Sequence, residues 1–372
     1  MKRSFYFLFS VLAFSSTLTL TGCTDQREIN DVALVLATGI DKSNDEFKVT
    51  VQIPITVGQG VEEGKKKAYY LESNTGRSIQ EALQKIQHQT SHILRFSHQQ
   101  IIIIHEEIAK KNISEVLDFV NRDRETRLTT YIYISKKKSF DILNTPPNSG
   151  GVSAEAVKGI GRLMGLGITT REFLGNLYKE GTDPIAPIVD IEKGKLEVNR
   201  IAIFKKDKMK FISNDTQSLG ILWMKHKAMV GKSITFPSNN GKFVSVSVSG
   251  QKFKIKPVVT SNTPEFHIKI SGKGFISESV EAFNMEDTKI IKQIESTLES
   301  TIKQQVQDLL KSTLENSIDT FSLGHYLYVY KNVQWENEWK DQWDQMLPNI
   351  KIDVDVNFVI ENTGLSIHTS KQ

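Results

Sequence analysis

The sequence predicts a multi-domain protein of mixed α/β and α+β class, with an N-terminal mixed α/β unit followed by an antiparallel sheet packed on a long helix. Three observations predict this arrangement. Short apolar runs of strand length alternate with amphipathic helical patterns between residues 32 and 134. Strictly alternating strands recur between residues 243 and 358. A long apolar stripe with helical spacing, from about Met285 to Asp319, precedes the last of these strands.

Composition sets the limits of this interpretation. The chain has 372 residues, a formal net charge of +4 and one cysteine. The length fits two or three domains of about 100–200 residues each. One cysteine excludes an internal disulfide and a cysteine-cluster metal site. The small excess of positive charge argues against a nucleic-acid partner, and we predict none.

The start of the chain has the pattern of an export signal. Two basic residues at positions 2 and 3 precede an apolar stretch that serines and threonines interrupt, which suits a signal peptide better than a membrane span. The stretch ends in Leu20, Thr21, Gly22 and Cys23, which resemble a bacterial lipobox. We therefore predict a lipoprotein signal peptide over residues 1–22. Cys23 would carry a covalent diacylglyceryl lipid, whose two chains anchor stably, and no other cofactor is predicted.

The N-terminal unit is predicted to begin with two strands joined by a polar turn. Ser78, with Glu81 three residues later, predicts the start of a helix, and Ser114 predicts the cap of another. A stretch rich in proline and glycine at residues 144–151 interrupts the pattern. The main elements follow the order β-β-α-β-α-β. The predicted strands are Val32–Ile40, Phe47–Ile55, Phe96–Ile104 and Leu128–Ile134, with a short helix at Glu106–Lys111.

Residues 152–180 are predicted to be helical, and a second β-rich region follows them. Strands at Ile201–Phe204 and Met209–Ile212 open this region. Later strands alternate cleanly between apolar and polar residues, which is typical of antiparallel sheets with one wet face. The long amphipathic helix is predicted to cover the apolar face, and a coiled-coil dimer through the same stripe is the alternative.

Motifs for catalysis are absent from the sequence: there is no Walker A motif, Gly-x-Ser-x-Gly or His-Glu-x-x-His. His88 and His92, with His98 nearby, lack a carboxylate at matching spacing, so we predict a polar surface, no metal site and no catalytic residues. The glycine-rich residues 159–167 have the wrong spacing for a phosphate-binding loop and are predicted to be a flexible or closely packed helical segment. Three tryptophans at helical spacing are predicted to be core, with partner docking as the alternative. They are Trp335, Trp339 and Trp343.

A string of charged residues follows the predicted helix that Ser114 begins. Its candidate contact residues are Arg122, Arg124, Glu125 and Arg127. The string could be a salt-bridged helix end or a recognition patch for a partner. Exposed pairs of this kind contribute little to stability, which leaves the partner role open.

Several segments, in their order after the lipobox, carry a resemblance to a known family. They are Asp25–Asp31, Ala37–Asp41, Ser97-His98 followed by Ile101–Ile104, Asp118–Arg127, Ile201–Lys208, Leu219–Trp223, and Asp319, Phe321 and Gly324 with Trp335. Together they resemble the Ger(x)C family, the C subunits of bacterial spore germinant receptors. The resemblance covers nearly the whole chain after Cys23. Residues 24–195 are similar to the N-terminal germination-protein domain and residues 200–370 to the C-terminal one.

The resemblance implies a lipid-anchored, non-catalytic subunit on the outer face of the inner spore membrane. Its expected partners are the membrane-embedded A and B subunits, and the complex would trigger germination in response to nutrients. The resemblance leaves open which subunit contacts the germinant, and we do not predict direct binding here. One rival hypothesis is a solute-binding lipoprotein of a transporter, against which the alternating strands and the single long helix of residues 243–360 argue. The other is a secreted hydrolase, which no feature of the sequence supports.

Overall fold

The structure is a computed structural model that describes residues 31–55, 68–147, 149–238, 241–259, 263–280 and 287–362. Its strands form an eight-stranded sheet, a four-stranded sheet and a two-stranded pair. The strands are β1 (Val32–Leu34), β2 (Ala37–Ser43), β3 (Glu46–Pro54), β4 (Tyr69–Gly76), β5 (Ile93–Arg95), β6 (Ile101–His105), β7 (Tyr131–Ser135), β8 (Ile185–Glu192), β9 (Lys195–Lys205), β10 (Lys208–Ile212), β11 (Ser233–Pro237), β12 (Phe243–Val258), β13 (Glu265–Ser279) and β14 (Ile352–Asn362).

The helices surround these sheets. They are α1 (Ile79–Gln89), α2 (Glu106–Lys111), α3 (Ser114–Arg122), α4 (Ser139–Asn144), α5 (Ser153–Leu163), α6 (Thr170–Tyr178), α7 (Asp215–Trp223), α8 (Thr288–Leu314) and α9 (Leu323–Tyr330). Short helical segments follow α9, at Asn332–Gln334, Trp335–Trp339, Lys340–Gln342, Trp343–Met346 and Leu347–Asn349.

The eight-stranded sheet has the order β10-β9-β8-β7-β6-β2-β3-β4. Its four central strands, β8, β7, β6 and β2, are parallel, and antiparallel strands flank them on both sides. Ile101 and Ile103 pack on one face of the sheet, and Ile102 and Ile104 pack on the other. The apolar run in β6 is therefore that of a parallel strand buried on both faces, with helices covering each side.

The parallel strands begin at one common end of this sheet. Ala37, Ile101 and Tyr131 are neighbours in register at the starts of β2, β6 and β7. Ile188 of β8 lies opposite Ile134 of β7, so Ile185 at the start of β8 lies at the same end. We call this the amino end of the sheet. Segments that lead into any of these strands meet there.

The four-stranded sheet has the order β11-β12-β13-β14, and α8 packs on it. Ile294, Leu298 and Ile302 of α8 are buried in the same core as Ile268 and Phe358 of the sheet. The apolar stripe is thus used within the chain, as the intramolecular interpretation predicted. Its 27 residues give α8 a length of about 40 Å.

The outer edge of β14 is partly satisfied by α8. The backbone N–H groups of Phe358 and Ile360 donate to the carboxylates of Glu299 and Glu295, each at 2.8 Å. Because an open strand edge invites pairing with another chain, these two bonds reduce the exposed hydrogen-bonding capacity of the edge.

The structure confirms the mixed fold class, but the second sheet is not purely antiparallel. β12 pairs antiparallel with β11 and β13, whereas β14 pairs parallel with β13. A parallel pair needs a long crossover, and the segment containing α8 supplies it. Alternation along one strand reports a half-buried face and carries no information on the direction of its neighbour.

The strands at Ile201–Phe204 and Met209–Ile212 also lie elsewhere than expected. They form parts of β9 and β10 in the first sheet, which thus extends to Ile212. Ile203 and Phe204 face opposite cores, as residues of a strand buried on both faces do. The domain boundaries at 195 and 200 remain predictions.

Several local predictions were wrong or incomplete. The strand predicted at Val32–Ile40 is divided into β1 and β2, because β1 pairs with β5 whereas β2 pairs with β3 and β6 in the eight-stranded sheet. Ser114 is the first helical residue of α3, and its hydroxyl donates to Asp207 at 3.0 Å instead of capping the helix. The helical region 152–180 is two helices, separated by a turn in which Gly165 has a φ of +71°.

Other local predictions were correct or partly correct, and some elements were not predicted. Ser78 caps α1 as predicted, since its hydroxyl accepts from the N–H of Glu81 at 3.1 Å. The predicted strand Phe96–Ile104 is confirmed only from Ile101, where β6 begins. β4 and α4 were missed, because their sequences lack a clear apolar period.

Candidate interaction surface

The charged string after α3 lies at the amino end of the first sheet, just before β7. The guanidinium of Arg122 pairs with Asp118 at 2.8 Å, and Glu125 pairs with Arg95. Glu125 also accepts from the backbone N–H of Phe96 at 2.9 Å. Arg122 and Glu125 are therefore engaged within the chain, as in the interpretation of a salt-bridged helix end.

Arg124 and Arg127 differ from these two residues. Both are exposed, and no carboxylate in the described part of the chain forms an ion pair with either guanidinium. The adjacent carboxylate of Asp123 accepts from the Thr126 hydroxyl at 2.5 Å. The string therefore contains two cations that have no ion-pair partner among the described residues, in a loop that the hydrogen bond between Asp123 and Thr126 stabilises. Its role in partner contact remains a prediction.

The predicted lipidation site lies outside the described residues. This applies to Leu20, Thr21, Gly22 and Cys23 alike. Within the described ranges, no helix has the length and hydropathy to cross a membrane.

The histidines that could have formed a metal site have local partners. The Nδ1 atom of His92 lies 2.9 Å from the Ser91 hydroxyl, and that of His98 lies 3.2 Å from the Ser97 hydroxyl. His88 is in the last turn of α1. Among the residues that the structure describes, no three histidine, cysteine, aspartate or glutamate side chains converge in a group that could hold a metal ion.

The three tryptophans form core, as predicted. Trp335, Trp339 and Trp343 are each at most 4% exposed. The rings of Trp335 and Trp343 meet edge to face, with centroids 5.4 Å apart. Their indole N–H groups donate to Glu180 at 2.9 Å and to Asp319 at 3.1 Å. These bonds connect the tryptophans to a polar junction between the two sheets.

Two buried aspartates form the centre of this junction. Asp183, just before β8, accepts from the backbone N–H groups of Asp319 and Lys206, both at 2.8 Å. It also pairs with the Lys205 ammonium at 3.2 Å, and Lys205 reaches the exposed Asp344 at 2.6 Å. The first sheet is thus connected to the segment after α8 by hydrogen bonds that leave little freedom in their relative position.

Asp319 holds the start of α9 in place. Its carboxylate accepts from the backbone N–H groups of Leu323 and Gly324, each at 2.8 Å, and from Trp343. Burial raises the pKa of Asp319 to about 7, against the opposite effect of these three donors. A carboxyl group in this position changes its charge near neutral pH, at a contact between the two sheets.

A close contact between two glycines adjoins the aspartates. A Cβ atom on Gly324 would lie 2.7 Å from the Cα of Gly181 and 2.7 Å from the Trp335 ring. Gly181 has a φ of +60°, in the left-handed region. The N–H of His325 donates to the carbonyl of Gly181 at 3.2 Å. The backbone before β8 and the backbone at the start of α9 are therefore in direct contact, without intervening side chains.

Sequence reasoning missed this junction. Asp183 and Asp319 are 136 residues apart, and no local pattern connects them. The sequence contained only part of the information needed to find the junction. Asp319, Gly324 and Trp335 all belong to the segment that carries the family resemblance.

Two family models match the chain, one after the other. The model described as Spore germination protein N-terminal domain matches residues 25–191. The model described as Spore germination B3/GerAC like, C-terminal, matches residues 199–364. The chain belongs to the Ger(x)C family of spore germination proteins. This is the family of germinant receptor C subunits.

Relatives of this Ger(x)C chain extend over most of its length. Spore germination protein KC of Bacillus subtilis (strain 168) is 29% identical over 392 residues, which cover 96% of each chain. Putative spore germination protein YfkR of the same strain is 29% identical over 306 residues, covering 77% of this chain and 78% of the relative. The crystal structure of the GerBC protein matches with a TM-score of 0.58 and 20% identity, covering 87% of this chain and 97% of that chain. That likeness shows a shared fold.

The junction connects the two segments that the Ger(x)C models match. Gly181 and Asp183 belong to the first segment, and Asp319 and Gly324 belong to the second. A change in the relative position of the two halves would have to break or rearrange these contacts.

Proposed function

We propose that this protein is a lipid-anchored, non-catalytic C subunit of a germinant receptor complex, required for nutrient-triggered spore germination. The observation that carries the proposal is the match of both family models, in order, over residues 25–191 and 199–364. The relative named Spore germination protein KC aligns over 96% of both chains, so the likeness extends over almost all of each sequence.

The anchor is the covalent lipid on Cys23, and no other cofactor is required. Support comes from the basic start, the interrupted apolar stretch and the small residues Thr21 and Gly22 before the chain's only cysteine. A lipid with two chains would hold the protein stably on the outer face of the inner spore membrane. Its partners there are the membrane-embedded A and B subunits.

Three buried carboxylates form hydrogen bonds within the fold, and this structural use is consistent with a role through protein contacts. Asp41 accepts from the backbone N–H of Ser139 at 3.0 Å and from its hydroxyl. Asp183 and Asp319 connect the two halves of the chain. In this proposal residues 24–195 and 200–370 are the two germination-protein domains. The hydrogen bonds of the junction transmit a displacement of one domain to the other.

The anchor is tested with Cys23→Ala, and Thr24→Ala serves as the matched control. Spores of each variant are fractionated, and germination is followed after nutrient addition. We expect Cys23→Ala to leave the inner-membrane fraction and to abolish nutrient germination, while Thr24→Ala behaves as the unmodified protein. Normal germination with unlipidated Cys23→Ala would contradict the anchoring part of the proposal.

The receptor role is tested by co-purification of the tagged full-length protein from solubilised inner spore membrane. We expect two polytopic germination subunits to be recovered with it. Recovery with transporter permease components would instead support a solute-binding lipoprotein and would overturn the receptor assignment.

A further inference from the structure

The described part of the chain begins beside the amino end of the first sheet. The N–H of Val35, after β1, donates to the carbonyl of Arg95 at 2.9 Å. Arg95 in turn pairs with Glu125 in the charged string. The segment after β1 and the charged string are therefore connected through Arg95 at this end of the sheet.

The start of α6 lies at the same end. The N–H of Arg171 donates to the carbonyl of Leu128 at 2.9 Å, and Thr170 bonds to the carbonyl of Thr130 at 2.8 Å. Arg171 and Tyr178 are seven residues apart on α6, so they share one face of the helix, and both are exposed. Tyr178 is 75% exposed and Leu128 is 36% exposed.

We call the resulting surface the basic face. It consists of Arg124, Arg127, Leu128, Arg171 and Tyr178. It combines three guanidinium groups with an exposed leucine and an exposed tyrosine. In the described part of the chain none of the three guanidinium groups forms an ion pair with a carboxylate.

The carboxylates close to the basic face have other partners. Glu125 is bound to Arg95 and to the N–H of Phe96. Glu172 caps α6, because it accepts from the backbone N–H of Thr169 at 2.7 Å and from its hydroxyl at 2.8 Å. Among the residues that the structure describes, no carboxylate competes for the three arginines as an ion-pair partner, and they can bind an external anion.

We propose that the basic face lies against the anionic bilayer surface, with its arginines on lipid phosphates and with Leu128 and Tyr178 at the headgroup level. The inference rests on the proposed lipid anchor at Cys23. Eight peptide steps separate Cys23 from Asp31, which limits their distance to about 29 Å at full extension. The anchor thus holds the amino end of the sheet close to the membrane.

The chemistry of the basic face suits a lipid surface. Arginine presents a planar set of donors that matches phosphate oxygens, and it is always charged. Tyrosine is enriched at the membrane–water interface, where its ring and hydroxyl find different surroundings. Each cation near an anionic leaflet strengthens attachment about fivefold, so three arginines favour the docked orientation roughly a hundredfold.

Labelling can test the orientation, because Cys23 is the only cysteine and the lipid occupies its thiol. A cysteine introduced by Thr129→Cys, before β7, or by Lys136→Cys, after β7, is then the only free thiol. Both positions are exposed and lie at opposite ends of the same strand. The full-length lipidated protein is labelled with a fluorophore and added to phosphatidylglycerol–phosphatidylcholine vesicles that carry a headgroup quencher.

We expect quenching at position 129 and little at position 136, with a loss of quenching at high salt. The triple variant Arg124→Gln, Arg127→Gln, Arg171→Gln should shift the docking equilibrium roughly a hundredfold and lose the quenching. The matched control neutralises three cations that already have carboxylate partners and lie outside the charged string: Arg77, Lys110 and Arg200. It should keep the quenching.

Flotation of the vesicles shows whether the protein is attached to the membrane, independently of its orientation. Protein that floats without selective quenching at position 129, or with quenching unaffected by the triple variant, would overturn the docking while leaving the anchor intact. Quenching only after the A and B subunits are added would make the basic face a protein contact and would also overturn it. Protein that does not float would remove the anchor and the docking together.

Discussion

Replacing Asp183 should weaken the junction between the two sheets by an amount that the contacts allow us to work out. Asp183→Ala removes the acceptor of the buried Asp319 N–H, which costs about 2 kcal/mol. It also removes the acceptor of the partly buried Lys206 N–H, about 1 kcal/mol, and one side of the Lys205 ion pair. We expect a loss of about 3 kcal/mol in the free energy of unfolding.

Two further variants separate the causes of this loss. Asp183→Asn keeps one carbonyl oxygen, so about half of the loss, roughly 1.5 kcal/mol, should remain. Asp344→Ala removes the exposed partner of the same Lys205 ammonium and should cost less than about 1 kcal/mol. The order of destabilisation is therefore Asp183→Ala, then Asp183→Asn, then Asp344→Ala.

Urea unfolding of the full-length protein measures the free energy of unfolding of the three variants. Tryptophan fluorescence reports the C-terminal half, because all four tryptophans follow residue 200. Far-ultraviolet circular dichroism reports both sheets, and coincident transitions would indicate that they unfold together. Equal losses for Asp183→Ala and Asp344→Ala would refute the reasoning, since they would show that only the charge on Lys205 matters.

Four more predictions concern this junction and the packing elsewhere in the chain. Because the pKa of Asp319 is raised to about 7 in the folded protein, the folded state holds more protons than the unfolded state between about pH 4 and 7. This carboxyl should therefore reduce stability as the pH rises, by up to about 1.4 kcal/mol per pH unit, and Asp319→Asn should remove that slope in urea titrations at pH 5 and 7. Gly324→Ala should cost at least about 1–3 kcal/mol by overpacking. Gly159→Ala, whose Cβ would meet nothing within 4 Å, should be neutral or should stabilise α5 by up to about 1 kcal/mol in thermal melts. Gln251→Leu should cost about 2–3 kcal/mol in urea unfolding, because the amide joins the N–H of Met229 to the last carbonyls of α7.

The sequence was sufficient to predict those features whose pattern lies within a few neighbouring residues. Ser78 and Glu81 marked the start of α1 because a helix N-terminus is satisfied by side chains within one turn. The spacing of the tryptophans indicated core because buried stripes follow the helical period. The strict alternation of β12, β13 and β14 located their buried faces for the same reason.

The sequence was insufficient where partners are distant along the chain. The parallel pairing of β14 with β13 depends on a connection that alternation does not report. The contact between Asp183 and Asp319 joins residues from different halves of the chain. For Ser114, a local capping pattern was present, but the distant Asp207 competes for its hydroxyl and binds it.

The parallel pairing of β14 also determines the order in which the protein can fold. β13 and β14 form aligned pairs such as Phe266 with Ile352, so contacts separated by more than 80 residues complete the second sheet. Such long-range pairing is slow, because loop closure must precede the contacts that stabilise it. The first sheet has all its strands once the chain is available up to residue 212, whereas the second must wait for β14. A chain shortened before β14 would thus leave the edge of β13 and the core under α8 open to aggregation, which makes β14 a requirement for the folding of the second sheet.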